Sequence, residues 1–116
     1  QYATKNNINL EIFQSNYEGA IIDELQKAYF EKVDGIVINP GAFTHYSYAI
    51  LDAIKSINIP TIEVHLTNIN EREEFRKVSV IRDACINAFM GKHFESYKDA
   101  LDYLIKYLNE VKINEK

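Results

Sequence analysis

The chain has one cysteine, two prolines, four glycines and no tryptophan, and it has neither a basic excess nor a long apolar run. Each shortage closes off a class of protein. The lone Cys85 cannot form an internal disulfide, and its neighbours Ala84, Ile86, Ala88 and Phe89 mark it as a buried packing thiol in a reducing compartment. Without a cysteine pair, and with His45, His65 and Glu63 at no recognised ligand spacing, no metal site is expected. The glycines spell neither Gly-x-Gly-x-x-Gly nor a Walker loop, so a nucleotide cofactor lacks its usual cradle. Thirteen Lys and Arg against 17 Asp and Glu give a net charge of −4; that is no footprint for a nucleic-acid backbone, although local basic clusters could hold a small anion. No apolar run approaches the roughly 20 residues of a membrane helix, and the first residues lack the pattern of a signal peptide. A single cytoplasmic globular domain is expected of 116 residues that are 47% hydrophobic and 26% charged.

What is present is a strand and helix alternation. Gly35-Ile36-Val37-Ile38-Asn39-Pro40-Gly41-Ala42-Phe43-Thr44-His45 is an apolar strand that stops at a polar residue, turns, and hands over to a helix. Thr61 to Leu66, launched by Pro60 and followed by Thr67 and Asn68, repeats the design. Ligands bind outside the carboxyl ends of strands in open parallel sheets, so Asn39, His45 and the end of the 61–66 strand are expected to share one pocket. Before them, Gln1 to Asn7 reads as the last turn of a helix. Asn9 to Phe13 alternates like a short strand, and Gln14-Ser15-Asn16 caps a helix from Glu18 to about Glu31 with Ile21, Ile22, Leu25, Ala28 and Tyr29 on one face. The next helix runs from Thr44 to Ser56, with Ala49, Ile50, Ala53 and Ile54 inward. Beyond Asn68 the order is a charged helical turn at 71–76, a polar loop to Asp83, a strand from Ala84 to Met90, an amphipathic helix from Ser96 to Asn109, and a frayed tail.

Acid–base chemistry on a small anion is what these residues could perform. Glu63 and His65 lie two apart on a strand and so share a face. An imidazole can give or take a proton near neutral pH, but a buried carboxylate satisfying an ordinary core-edge histidine reads equally well from that spacing. Thr67 with the Leu66 and Thr67 amides could hold a substrate carboxylate. Arg72 and Arg76, four apart, could project together, or form a solvated ion-paired face with Glu73 and Glu74. Asp52 reads as a solvent-facing acid, and Glu18 as a carboxylate placed by the helix dipole. Every lysine lies in a loop, tail or charged face, against a Schiff-base mechanism.

Three blocks, Phe13-Gln14-Ser15-Asn16-x-Glu18-Gly19, Ile38-Asn39-Pro40-Gly41-Ala42-Phe43-Thr44-His45, and Glu63-Val64-His65-Leu66-Thr67-Asn68-Ile69 followed by Arg72-Glu73-Glu74-Phe75-Arg76, resemble the type II 3-dehydroquinate dehydratases. The resemblance implies an α/β, flavodoxin-like fold: a parallel sheet ordered 2-1-3-4-5 with helices on both faces. It implies dehydration of 3-dehydroquinate to 3-dehydroshikimate, in the shikimate pathway, through an enolate and without metal or organic cofactor. By position, His65 matches the proton donor and Glu63 a residue supporting it. Asn39, Leu66 and Thr67 match the carboxylate site, His45 and Arg76 the groups holding the ring hydroxyls, and Asp52 an acid reaching a neighbouring subunit's site. A homo-oligomer, trimers joined into a dodecamer, is implied as well.

The sequence departs from the pattern in two places. Tyr17 stands where the family has His. The family's first strand, and the loop with its Arg and its Tyr base, precede the position where these residues begin, so the expectation is one domain over 1–116, N-terminally incomplete. A noncatalytic flavodoxin-like subunit that keeps the pocket but lacks the base is the alternative. A receiver or nucleotide module of the same fold is a third.

Overall fold

β-Branched residues concentrate in two of the three segments that pair into a sheet, as expected of side chains stiff at their first torsion and packed on a pleated surface. The computed structural model describes residues 8–114. Its strands are β1 (Ile36–Ile38), β2 (Thr61–His65) and β3 (Asn87–Met90). They are parallel, in the order β1-β2-β3, with Ile38 beside Glu63 and His65 beside Met90. This is the order of strands 3-4-5 in the implied sheet. The helices are α1 (Glu18–Phe30), α2 (Tyr48–Ile57), α3 (Glu74–Lys77) and α4 (Glu95–Asn114), with 3-10 turns at Gly41–His45, Ile69–Glu71 and Arg82–Ala84.

Alternation along the strands divides the core into two layers. Val37, Ile62, Val64 and Phe89 pack against Ala100, Leu104 and Leu108 of α4. Closest approach falls at Gly35, where an added Cβ would lie 2.7 Å from a Leu104 methyl. On the other face Ile36 and Ile38 meet Leu25, Ile50, Ala53, Ile54 and Ile57 from α1 and α2, with Ile81 closing the layer. Thr61, Glu63 and His65 point to this second side, and all three are buried. Two βα units thus deliver the polar ends of β1 and β2 to one edge.

The polypeptide also departs from its local patterns. Asn9–Phe13 forms no strand: no described strand lies beside it to complete a ladder, and Ile12 is 86% exposed. The helix expected from Thr44 begins at Tyr48, because the Gly41–His45 turn intervenes. Ser47 is the cap, its Oγ accepting from the Ile50 amide at 3.1 Å while donating to Glu18 at 2.5 Å. In this helix Ala49 is exposed, against expectation, and Ile57 is buried beside Ile50, Ala53 and Ile54. Tyr29 is also exposed. The last strand starts at Asn87, because Ala84 still belongs to a 3-10 turn. The final helix runs on through residues expected to fray, to Asn114. The helical turn expected in residues 1–7 lies outside the described residues.

Candidate active site

Strand β2 ends in a carboxylate and an imidazole, and burial leaves them little choice but to pair. Glu63 is 0% exposed and His65 6%; His65 Nε2 lies 2.5 Å from Glu63 Oε2. A third group completes the cluster. Arg82, from the 3-10 turn at 82–84, donates from Nε to Oε1 and from Nη2 to Oε2, both at 3.2 Å. Its side chain is 40% exposed, so the fork reaches in from the surface. Burial alone would push the Glu63 carboxyl up; the side-chain hydrogen-bonding influence of His65, Arg82 and Ser79, with the charge of Arg82, overcomes it and holds the carboxyl at about 2. Glu63 is therefore a carboxylate at neutral pH, an acceptor only, and Nε2 is the donating nitrogen of His65. Nδ1 of the same ring has no hydrogen-bond partner among the described residues.

The end of β1 is held in place separately. Asn39 Oδ1 accepts from the Gly41 amide at 3.1 Å, and Nδ2 donates to the Tyr97 hydroxyl of α4 at 3.0 Å. His45 closes the turn at 41–45, its Nδ1 2.7 Å from the Val78 carbonyl. A carbonyl can only accept, so Nδ1 carries the proton and Nε2 is left as an acceptor. The Val80 amide donates to the Thr44 carbonyl. Segment 78–82 therefore spans the two strand ends, touching the His45 turn at one end and Glu63 at the other. His45 and His65 are linked through it and share no direct hydrogen bond.

Other expected residues are more scattered. The Leu66 carbonyl accepts from the His93 amide at 2.8 Å, and Thr67 is exposed just beyond the strand. Arg72 and Arg76 do not share a helix as expected, since Arg72 is extended between the 69–71 turn and α3. Both nevertheless pair with Glu73, Arg76 donating to it at 2.9 Å and Arg72 lying 3.9 Å from it; Arg72 Nη1 also approaches Thr67 Oγ1 at 3.4 Å, and Arg76 lies over the Phe75 ring. Asp52 is exposed on α2. Glu18 is held by Ser47 as well as by the helix end. Cys85 borders the cluster; burial and the Glu63 charge push its thiol up to about 12, which fits a packing role.

Arg82 and Tyr97 were not legible as site residues. Neither sits in a strand-end motif, and their partners are 19 and 58 residues away in the chain. A shallow groove lined by Gln26, Tyr29, Phe30, Ser56 and Ile57 lies at the far ends of α1 and α2 and offers no carboxylate, imidazole or amine. Among the described residues, no group of three or more His, Cys, Asp or Glu could hold a metal ion, and no helix is long and apolar enough to cross a membrane.

Comparison with known proteins gives this geometry a context. The chain is 63% identical over 97 residues to the 3-dehydroquinate dehydratase of Caldicellulosiruptor bescii, covering 84% of this chain and 66% of that one. It is 65% identical over 88 residues to that of Clostridium beijerinckii, covering 76% and 60%. The chain thus spans about two thirds or less of the length of these two relatives. Among solved structures, the type II dehydroquinase from Butyrivibrio crossotus superposes with a TM-score of 0.87 at 55% identity, covering 89% of this chain and 72% of that one. The type II dehydroquinase from Propionibacterium acnes gives 0.84 at 34%, covering 89% and 75%. The flavodoxin-like α/β expectation is borne out by these likenesses. The family model for dehydroquinase class II matches residues 1–105, and the chain belongs to that family.

Proposed function

We propose that this chain carries the proton-donating and substrate-binding side of a type II 3-dehydroquinate dehydratase. Water is lost from 3-dehydroquinate through an enolate to give 3-dehydroshikimate, and His65 protonates the departing hydroxyl. The observation that carries the reading is the buried pairing of His65 Nε2 with Glu63 at the end of β2, which leaves Nδ1 without a hydrogen-bond partner among the described residues. An imidazolium held there by one nitrogen has the other available for a ligand.

Asn39, Leu66 and Thr67 receive the substrate carboxylate, Asn39 already braced by Gly41 and Tyr97. His45 offers Nε2 to a ring hydroxyl, and Arg76 leaves Glu73 to hold another. Asp52, exposed on α2, serves the site of a neighbouring subunit in a trimer, with trimers assembling into a dodecamer. The setting is the cytoplasmic shikimate pathway.

The test uses the 116 residues and, in parallel, the same chain extended at its N-terminus by the strand and Tyr-bearing loop of the family pattern. Product is followed by its enone absorbance. The extended chain is expected to turn over, and His65→Ala to lower kcat by about 10²- to 10⁴-fold, the usual worth of general acid–base help. Undiminished turnover in His65→Ala removes His65 from the role. Calorimetric binding of 3-dehydroquinate with no product from either chain would favour the noncatalytic reading.

A further inference from the structure

The Glu63–His65 pair needs a third residue if it is to act as a directed proton donor. Glu63 is attached through flexible torsions, and the last of them, which sets the carboxylate plane, is broad and roughly two-fold. A single hydrogen bond to His65 leaves that plane free to turn. Arg82 removes the freedom by placing two donors, 3.2 Å from each oxygen, in a planar fork. Oε2 then faces both Nη2 of Arg82 and Nε2 of His65.

We propose that Arg82 is the positioning residue of the proton donor: by gripping both oxygens of Glu63 it fixes the carboxylate so that Oε2 accepts the hydrogen bond from His65 Nε2–H, and Nδ1 is left to deliver a proton to the ligand. The proposal rests on the acid-catalysis reading for its purpose, though not for its geometry. Among the described residues, the charged groups of the His65–Glu63–Arg82 cluster are few. Glu63 comes from β2 and Arg82 from the turn at 82–84; the Cys85 thiol just beyond is neutral below about 12. Guanidinium is charged at every working pH, so an imidazolium formed at His65 meets a carboxylate already neutralised.

The experiment is NMR on the isotopically labelled chain with Arg82→Gln and Arg82→Lys. Two readouts are taken: the pH dependence of the Glu63 carboxyl carbon, and the ring nitrogen shifts of neutral His65, which report its tautomer. The unaltered chain is expected to show one tautomer, protonated at Nε2, and a Glu63 carboxyl still ionised at pH 3.5. In Arg82→Gln the carboxyl midpoint should rise by about one pH unit or more, and both ring tautomers should appear. Arg82→Lys restores the charge without the fork, so the midpoint should return part of the way while the tautomers stay mixed. An arginine that only supported the fold would leave both readouts unchanged in a folded variant, and that result overturns the proposal, as does a mixed tautomer in the unaltered chain. Loss of turnover on His65→Ala tests the catalytic reading separately; a fixed tautomer with turnover unaffected by His65→Ala would sustain the positioning and end the catalytic assignment.

Discussion

Replacing Glu63 by Gln exchanges a buried carboxylate for a neutral group of the same shape, and the structure fixes both the size and the pH dependence of the effect. The carboxyl is held at about 2 against an ordinary value of 4.5. At 1.36 kcal/mol per pH unit, that drop amounts to about 3 kcal/mol favouring the charged form in the folded chain. Arg82 is partly solvated, so about 3 kcal/mol is an upper figure. The folded value lies below the unfolded one, so the contribution is complete above pH 4.5 and is lost as the pH falls from there towards 2. Denaturant unfolding of the natural chain and Glu63→Gln at pH 7 and at pH 3 provides the assay. At pH 7 the variant is expected to be less stable by about 2–3 kcal/mol, because the Gln amide cannot accept from both Arg82 and His65. At pH 3 the gap should narrow by at least 1 kcal/mol, with both chains still folded. A gap of equal size at both pH values would show that the carboxylate is not preferentially charged in the fold, and the electrostatic account of the cluster would fail.

Two further outcomes follow from the geometry. Ser47→Ala removes both the α2 cap and the hydroxyl held by Glu18, and should cost about 1–2 kcal/mol in urea unfolding; Ser47→Asp, which can still cap but places a second carboxylate against Glu18, should not recover it. Cys85, its thiol raised to about 12, should react with a disulfide reagent at pH 8 at least about 100-fold more slowly in the folded chain than in urea, since the thiolate is the reactive form.

The elements legible in the sequence are those whose pattern and packing agree. The strands expected over 35–39 and 61–66 are found at 36–38 and 61–65, because apolar residues entered from Gly35 and Pro60 and closed by polar residues leave one use for the backbone. Asn9–Phe13 has equally good alternation and forms none, since a ladder needs a neighbour and no described strand lies beside it. The helix expected from Thr44 is right in kind and displaced in start, to Tyr48: the Gly41–His45 turn intervenes, and Ser47, which caps the helix, also donates to Glu18, 29 residues away.

By itself the sequence determined the alternating βα order, the placement of polar residues at the ends of two parallel strands, and the shared face of Glu63 and His65. Those follow from strand period, turn chemistry and chain handedness, all of which act between neighbours in the chain. Only the tertiary structure decided that Arg82 would neutralise Glu63 and that Tyr97 would brace Asn39. Such pairings depend on which surfaces are pressed together after burial, and a carboxylate deprived of water takes whichever donor the packing brings within reach.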